Sequence, residues 1–296
     1  MPGKVRVYLR GEAPASPFQH MSGLRALALG WIGRARPEQS AALHEVNRPK
    51  PYALSPLWEE GAGPEDPAVG SRAARATGGG RWWFEVSLLD DRLALRLAEA
   101  AGAEREVRLG PQGFEVTSVV VREVVSWEEL LPASVPQRPR YTVRLITPTA
   151  HHAAGPHRKA VVVPSAETYF ASWWNRWNLC ATQWECAPFA LEEGVLAAAA
   201  EQVVIAGFSG GTQLVRNLDP NRHFLGFVGE VVFEVLKPGT LTHGVRASLE
   251  ALVRLACYAG TGVETMRGMG QTREGRGRTA DFADNQERGG TGNSAD

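Results

Sequence analysis

The stretch GTGVETMRGMGQTR, Gly260 to Arg273, places its glycines as GxGxxxxxGxG directly after a helical segment. In a dinucleotide-binding fingerprint the glycines follow a strand and open a helix, so that the pyrophosphate rests on the helix N-terminus. The order here is reversed. His243 to Tyr258 carries Val245, Leu249, Leu252, Val253 and Ala256 on one side and Arg246, Glu250 and Arg254 on the other, the period of an amphipathic helix. Gly260 then reads as the helix stop. A glycine-rich loop leaving a helix and carrying Arg267 and Arg273 lets bare backbone approach a polyanion while guanidinium groups bind its phosphates. The bland alternative is a flexible connection into a last strand.

Working outward, the order of elements repeats. Val5, Val7 and Leu9 alternate with Lys4, Arg6 and Tyr8 as in a half-buried strand. A helical stripe of Leu24, Leu27, Trp31 and Ile32 follows Ser22, an N-cap candidate. Strands are expected at Tyr52 to Leu57, Arg81 to Leu89 and Gly113 to Val125, with a short helix over Arg92 to Ala101. Beyond Pro132, Pro136 and Pro139 come a strand at Tyr141 to Thr147, a helix from Ser165 to Leu179, strands at Gln202 to Phe208 and Phe224 to Leu236, the helix at His243, and a short last strand. Each half reads β-α-β-β-α-β. The expected fold is α+β, two tandem ferredoxin-like (RRM-like) domains. The expected limits are 1–131 for the first domain, 132–140 for a linker, 141–274 for the second domain and 275–296 for a disordered tail, which lacks periodicity.

A chain of 296 residues, 44% hydrophobic and 22% charged, suits two soluble domains of about 120 to 140 residues each. No run of about 18 apolar residues occurs and the N-terminus lacks a signal-peptide stretch, so the expectation is cytoplasmic with no membrane partner. Cys180, Cys186 and Cys257 form no CxxC pair and, with the distant His223, match no zinc spacing; they read as reduced thiols, and neither metal nor cofactor is expected. The 32 basic and 32 acidic residues cancel, so any nucleic acid must be held by local patches.

The segment LHEVNRPKPYALSPL, Leu43 to Leu57, changes the reading of the glycine loop. Together the two stretches resemble the CRISPR-associated pre-crRNA-processing endoribonucleases of the RAMP superfamily, with both signatures in the family's order. The resemblance spans Val5 to about Arg273, although its specific motifs cover only about thirty residues. It places His44 and Lys50 at the family's histidine and lysine positions, and it matches Gly260, Gly262, Gly268 and Gly270 to the family's glycine loop. It implies a metal-independent endoribonuclease acting on CRISPR precursor RNA. Effector-complex subunits would be further partners, and a homodimer is left open. The chemistry suits these residue types: histidine exchanges protons near neutrality, and lysine is a fixed cation beside the phosphate where negative charge accumulates. Without the resemblance, a histidine six residues from a lysine reads as ordinary surface.

The family often adds a tyrosine in the first helix. Counting back from His44, the matching position is Leu29, and this helix has no tyrosine. His20, at the mouth of the helix, is the substitute candidate, with Ser55 and Tyr52 behind it. Arg158 and Lys159, beside His151, His152 and His157, form a cationic loop that is a weaker phosphate-binding candidate. Trp173, Trp174 and Trp177 lie with Phe170 at helical spacing, which reads as core before it reads as a base-stacking platform. Two rival readings remain: a non-catalytic RAMP subunit that holds guide RNA, and a nucleotide-binding enzyme, which the loop's position after a helix disfavours.

Overall fold

A computed structural model describes residues 1–35, 50–61, 80–135, 139–153, 159–182, 186–219 and 222–275. The N-terminal sheet is built from β1 (Gly3–Gly11), β2 (Tyr52–Leu54), β3 (Trp58–Glu59), β4 (Gly80–Leu88), β5 (Glu106–Leu109) and β6 (Gln112–Val124). Its order is β2-β4-β1-β6-β5, with β3 paired to β4. Helices α1 (Met21–Ala35) and α2 (Asp91–Gly102) make the crossovers. The order β2-β4-β1-β6 is the ferredoxin-like arrangement, in which the first and third strands are central. Strict alternation in β1 puts Val5, Val7 and Leu9 into a core with Leu24, Trp31, Phe84 and Phe114.

The second unit repeats the plan. Strand β7 (Arg140–Thr149) is followed by α4 (Ala166–Thr182), then β10 (Val203–Asp219), β11 (Arg222–Val235), α6 (His243–Ala259) and β12 (Thr272–Glu274). The sheet order β10-β11-β7-β12 matches that of the first unit. Between β7 and α4 lie the two-residue strands β8 (His151–His152) and β9 (Ala160–Val161). Trp173, Trp177, Phe170, Phe233, Leu249 and Leu252 form this core; of the tryptophans at helical spacing Trp173 and Trp177 are interior, while Trp174 is only partly buried against it.

Three details differ from the sequence reading. The second and third strands of the C-terminal unit run into one long hairpin, Val203–Asp219 against Arg222–Val235. Gly207, Gly210 and Gly211 interrupt the alternation that would have shown its length, and Gly210 pairs directly with Gly229. The capped turn α3 (Trp127–Leu130), with a reciprocal Ser126–Glu129 capping box, and α5 (Val195–Gln202) were not anticipated. Of the expected strand Tyr52 to Leu57 only Tyr52–Leu54 forms, with β3 following separately at Trp58–Glu59; at Ser55 the side-chain hydroxyl takes the β4 bond (Glu85 N to Ser55 Oγ, 2.8 Å).

Strand β12 pairs with β7 from Thr272↔Leu145 to Glu274↔Val143, and Gly275 N still donates to Thr142 O at 2.8 Å. The tail reading falls on 276–296, outside the described residues. Truncation after Gly275 is expected to leave the melting temperature unchanged, since the polar tail has little apolar surface to bury. Truncation before Gly268 removes β12, uncovers the edge of β7 and should abolish cooperative melting of the second unit. A stepwise deletion series followed by calorimetry reads both.

Candidate functional site

Thr242 caps α6 by accepting from Val245 N at 3.1 Å, and Gly260 ends the helix at φ +71. The chain then curls. Gly262, Gly268 and Gly270 have φ of 78, 79 and 64, and Glu264 alone among described non-glycine residues is also positive. The curl closes on itself by Thr261 N to Gly270 O (2.8 Å). It is fixed to the end of β7 by Gly270 N to Pro148 O (3.0 Å) and Val263 N to Ala150 O (2.9 Å). A Cβ at Gly262 would collide with the Ala150 carbonyl oxygen, and one at Gly270 with that of Thr261. All four motif glycines are buried. On these sides their bareness serves close backbone packing within the protein, a requirement invisible to spacing alone.

The loop also joins the two units. Met269 is fully buried in the N-terminal core and Met266 packs against it. Gly268 lies against Met21 and Pro56, where an added Cβ would be 2.9 Å from Met21 Sδ. Gln271 Nε2 donates to Leu54 O of β2 at 2.8 Å, while its backbone N donates to Thr147 Oγ1 at 2.9 Å. The cationic side chains lie at the margin. Arg267 is half-buried, its Nε 3.4 Å from Glu264 Oε2, and Arg273 stands on β12 directly opposite Arg144 of β7.

Helix α4 holds the loop from beneath. Trp173 Nε1 donates to Thr261 Oγ1 (2.9 Å), and Gly262 N donates to Ser172 Oγ (3.2 Å). Arg176 Nη2 donates to Gly262 O (2.9 Å) and to Thr265 Oγ1 (3.1 Å). His151 is not part of an open cationic loop: it is buried, stacked on Tyr169 at 4.9 Å. Burial first, then the nearby Arg176 and His152 charges, lower its pKa to about 4. The unfolded chain takes up this proton near pH 6.5 and the folded protein only near 4. The stability this group supports is therefore complete above pH 6.5 and is lost progressively as pH falls toward 4. Between pH 6.5 and 5 the loss is about 2 kcal/mol. The melting temperature of His151→Phe should accordingly fall less than the parent's over that interval.

Lys50 leads into β2 and is 4% exposed. It lies at the Leu88 end of the sheet, where Pro51 O accepts from Leu89 N (2.8 Å), and Leu88 pairs with Gly3. The same strand takes the glycine loop at Leu54, so the structure brings the lysine segment and the loop to one edge of the N-terminal sheet. His20 is elsewhere. It packs edge-on to Phe114 at 5.6 Å, and Phe114 pairs with Gly11 at the opposite end of β1, roughly 25 Å away at strand rise. Burial lowers the His20 pKa. His20 and Lys50 are therefore not brought together. The alternatives behind His20 are committed elsewhere: the Ser55 hydroxyl bonds Pro56 O at 2.9 Å, and Tyr52 is 1% exposed, its pKa raised by burial. His44 and Arg158 lie outside the described residues; Lys159 is exposed. A loop-holding residue that the sequence reading did not single out is Arg176. An arginine among three tryptophans on a core helix was the available signal.

Two ferredoxin-like units are joined by a glycine-rich loop after the last helix. Residues 143–272 match the family model of the CRISPR-associated endoribonuclease Cas6. The chain is similar to a Thermus thermophilus Cas6 in a product complex, with TM-score 0.71 and 25% identity over 92% of this chain and 99% of that one. It is also similar to a second Cas6 product complex, with TM-score 0.67 and 26% identity over 93% of this chain and 100% of that one. A Cas6-related protein from Pyrococcus furiosus shares the fold at 11% identity, with TM-score 0.56 over 94% of this chain and 100% of that one. No curated protein sequence matches the chain. These findings support a CRISPR pre-crRNA-processing protein of RAMP type, similar to Cas6 over the length of the chain.

Proposed function

We propose that this protein cuts the repeat of a CRISPR precursor transcript by attack of the substrate's own 2′-hydroxyl on the adjacent phosphorus, leaving a 2′,3′-cyclic phosphate and a 5′-hydroxyl. His44 exchanges the proton and Lys50 stabilises the charge on the phosphorane. The observation that carries this reading is the meeting of the Lys50 segment and the glycine loop on β2 through Gln271 and Leu54. Similarity to Cas6 structures in product and substrate-mimic complexes supports repeat RNA as the ligand. The reaction needs no metal, and the proposal places it in the cytoplasm. Association with effector subunits, or as a homodimer, belongs to the same reading.

The test is incubation with the repeat RNA of the protein's own array in EDTA, followed by mapping of the ends. Cleavage should persist in EDTA and cease when the nucleotide 5′ of the cut is 2′-deoxy. Loss of cutting on chelation would remove the mechanism, and tight binding without cutting would assign a non-catalytic guide-RNA subunit instead. The phosphate contacts separate from the chemistry. Arg267→Ala should weaken binding and reduce the slope of log affinity against log salt by about one, as for one lost phosphate contact.

A further inference from the structure

Arg176 is 7% exposed, and among the described residues no carboxylate pairs with it. Its bonds go to a neutral carbonyl, Gly262 O, and a neutral hydroxyl, Thr265 Oγ1. Burial depresses its pKa to about 10, which still leaves it charged at neutrality. A buried cation without a counter-ion among the described residues costs stability, which two hydrogen bonds to neutral acceptors offset only in part. A requirement other than folding therefore explains its presence better than folding does.

That requirement is visible in what the guanidinium holds. Both acceptors belong to the glycine loop, three residues apart, and one guanidinium nitrogen, Nη2, ties them into one curl. Four glycines between 260 and 270 give this segment large conformational freedom, and ordering it on binding would be charged against affinity. The same positive charge lies directly behind a loop whose partner is a polyanion, in a medium of low dielectric that screens it poorly. We propose that Arg176 is the positioning residue of the RNA-binding loop: it holds the loop in its bound shape in advance and adds its uncompensated charge to the field that the phosphates meet. It touches neither RNA nor the reacting atoms. The inference rests on repeat RNA being the ligand.

Arg176→Met and Arg176→Lys test it, with melting temperature, repeat-RNA Kd and single-turnover cleavage measured on each. Arg176→Met should melt somewhat below the parent, because Gly262 O and Thr265 Oγ1 lose their donor, should bind repeat RNA at least about tenfold more weakly, and should cut at saturating RNA within about twofold of the parent rate. Arg176→Lys, which keeps the charge but not the reach and planar shape of the guanidinium, should recover part of the affinity. Unchanged Kd in a folded Arg176→Met protein overturns the proposal whatever happens to the melting temperature. Should that variant not fold, Thr265→Val removes one acceptor of the same guanidinium, and its unchanged Kd is equally decisive. A parent that fails to bind or cut repeat RNA would end the functional reading itself, whereas a parent that binds beside an Arg176→Met that binds equally ends only this one.

Discussion

Replacement of His44 by Ala should slow single-turnover cleavage of repeat RNA by about 10² or more while leaving Kd within about twofold. That separation is the signature of a group used for proton transfer in the transition state and little in binding. The measurement is a rate at saturating protein, where binding cannot limit, beside a Kd from the uncleavable 2′-deoxy substrate. An unchanged rate would move the chemistry away from His44. It would not move it to His20, because the length of β1 separates His20 from Lys50.

The second large effect belongs to Gly270. Its φ of +64 is left-handed, and a Cβ there would strike the Thr261 carbonyl oxygen. An L-residue forced into that region costs about 1–2 kcal/mol before any collision, and the collision is with backbone that cannot rotate aside. Two bonds share the same residue, Thr261 N to Gly270 O and Gly270 N to Pro148 O, so relief of the clash opens the loop. Met269, beside it, would then leave the N-terminal core. Gly270→Val should lower the melting temperature by roughly 10 °C and cost most of the RNA affinity, because it disturbs the loop and the contact between the units together. Gly268→Val is milder in stability, since its obstacle is the flexible Met21 side chain, but it too is strained at φ +79. A Gly270→Val protein that melts with the parent would contradict the packing described for the loop.

The sequence by itself determined the repeated β-α-β-β-α-β order, the helix over 243–259 and the stop at Gly260. Each of these rests on local periodicity and on the preferences of neighbouring residues, which act within a few positions of the chain. The tryptophans of α4 could be read as core on the same ground. The long β10–β11 hairpin could not, because glycines erased the period that would have announced it. What the glycine loop touches was decided by tertiary structure alone. Gln271 meets Leu54 across 217 positions of sequence, and Arg176 meets Gly262 across 86. No local pattern encodes such partners. Spacing told that the glycines permit close approach, but only the fold told that the approaching groups are the end of β7, Met21 and Pro56, and that the loop is backed by a buried arginine with no carboxylate paired to it among the described residues. The reason is physical: backbone dihedral preferences are properties of single residues, whereas burial and charge compensation belong to the assembled surfaces of both units.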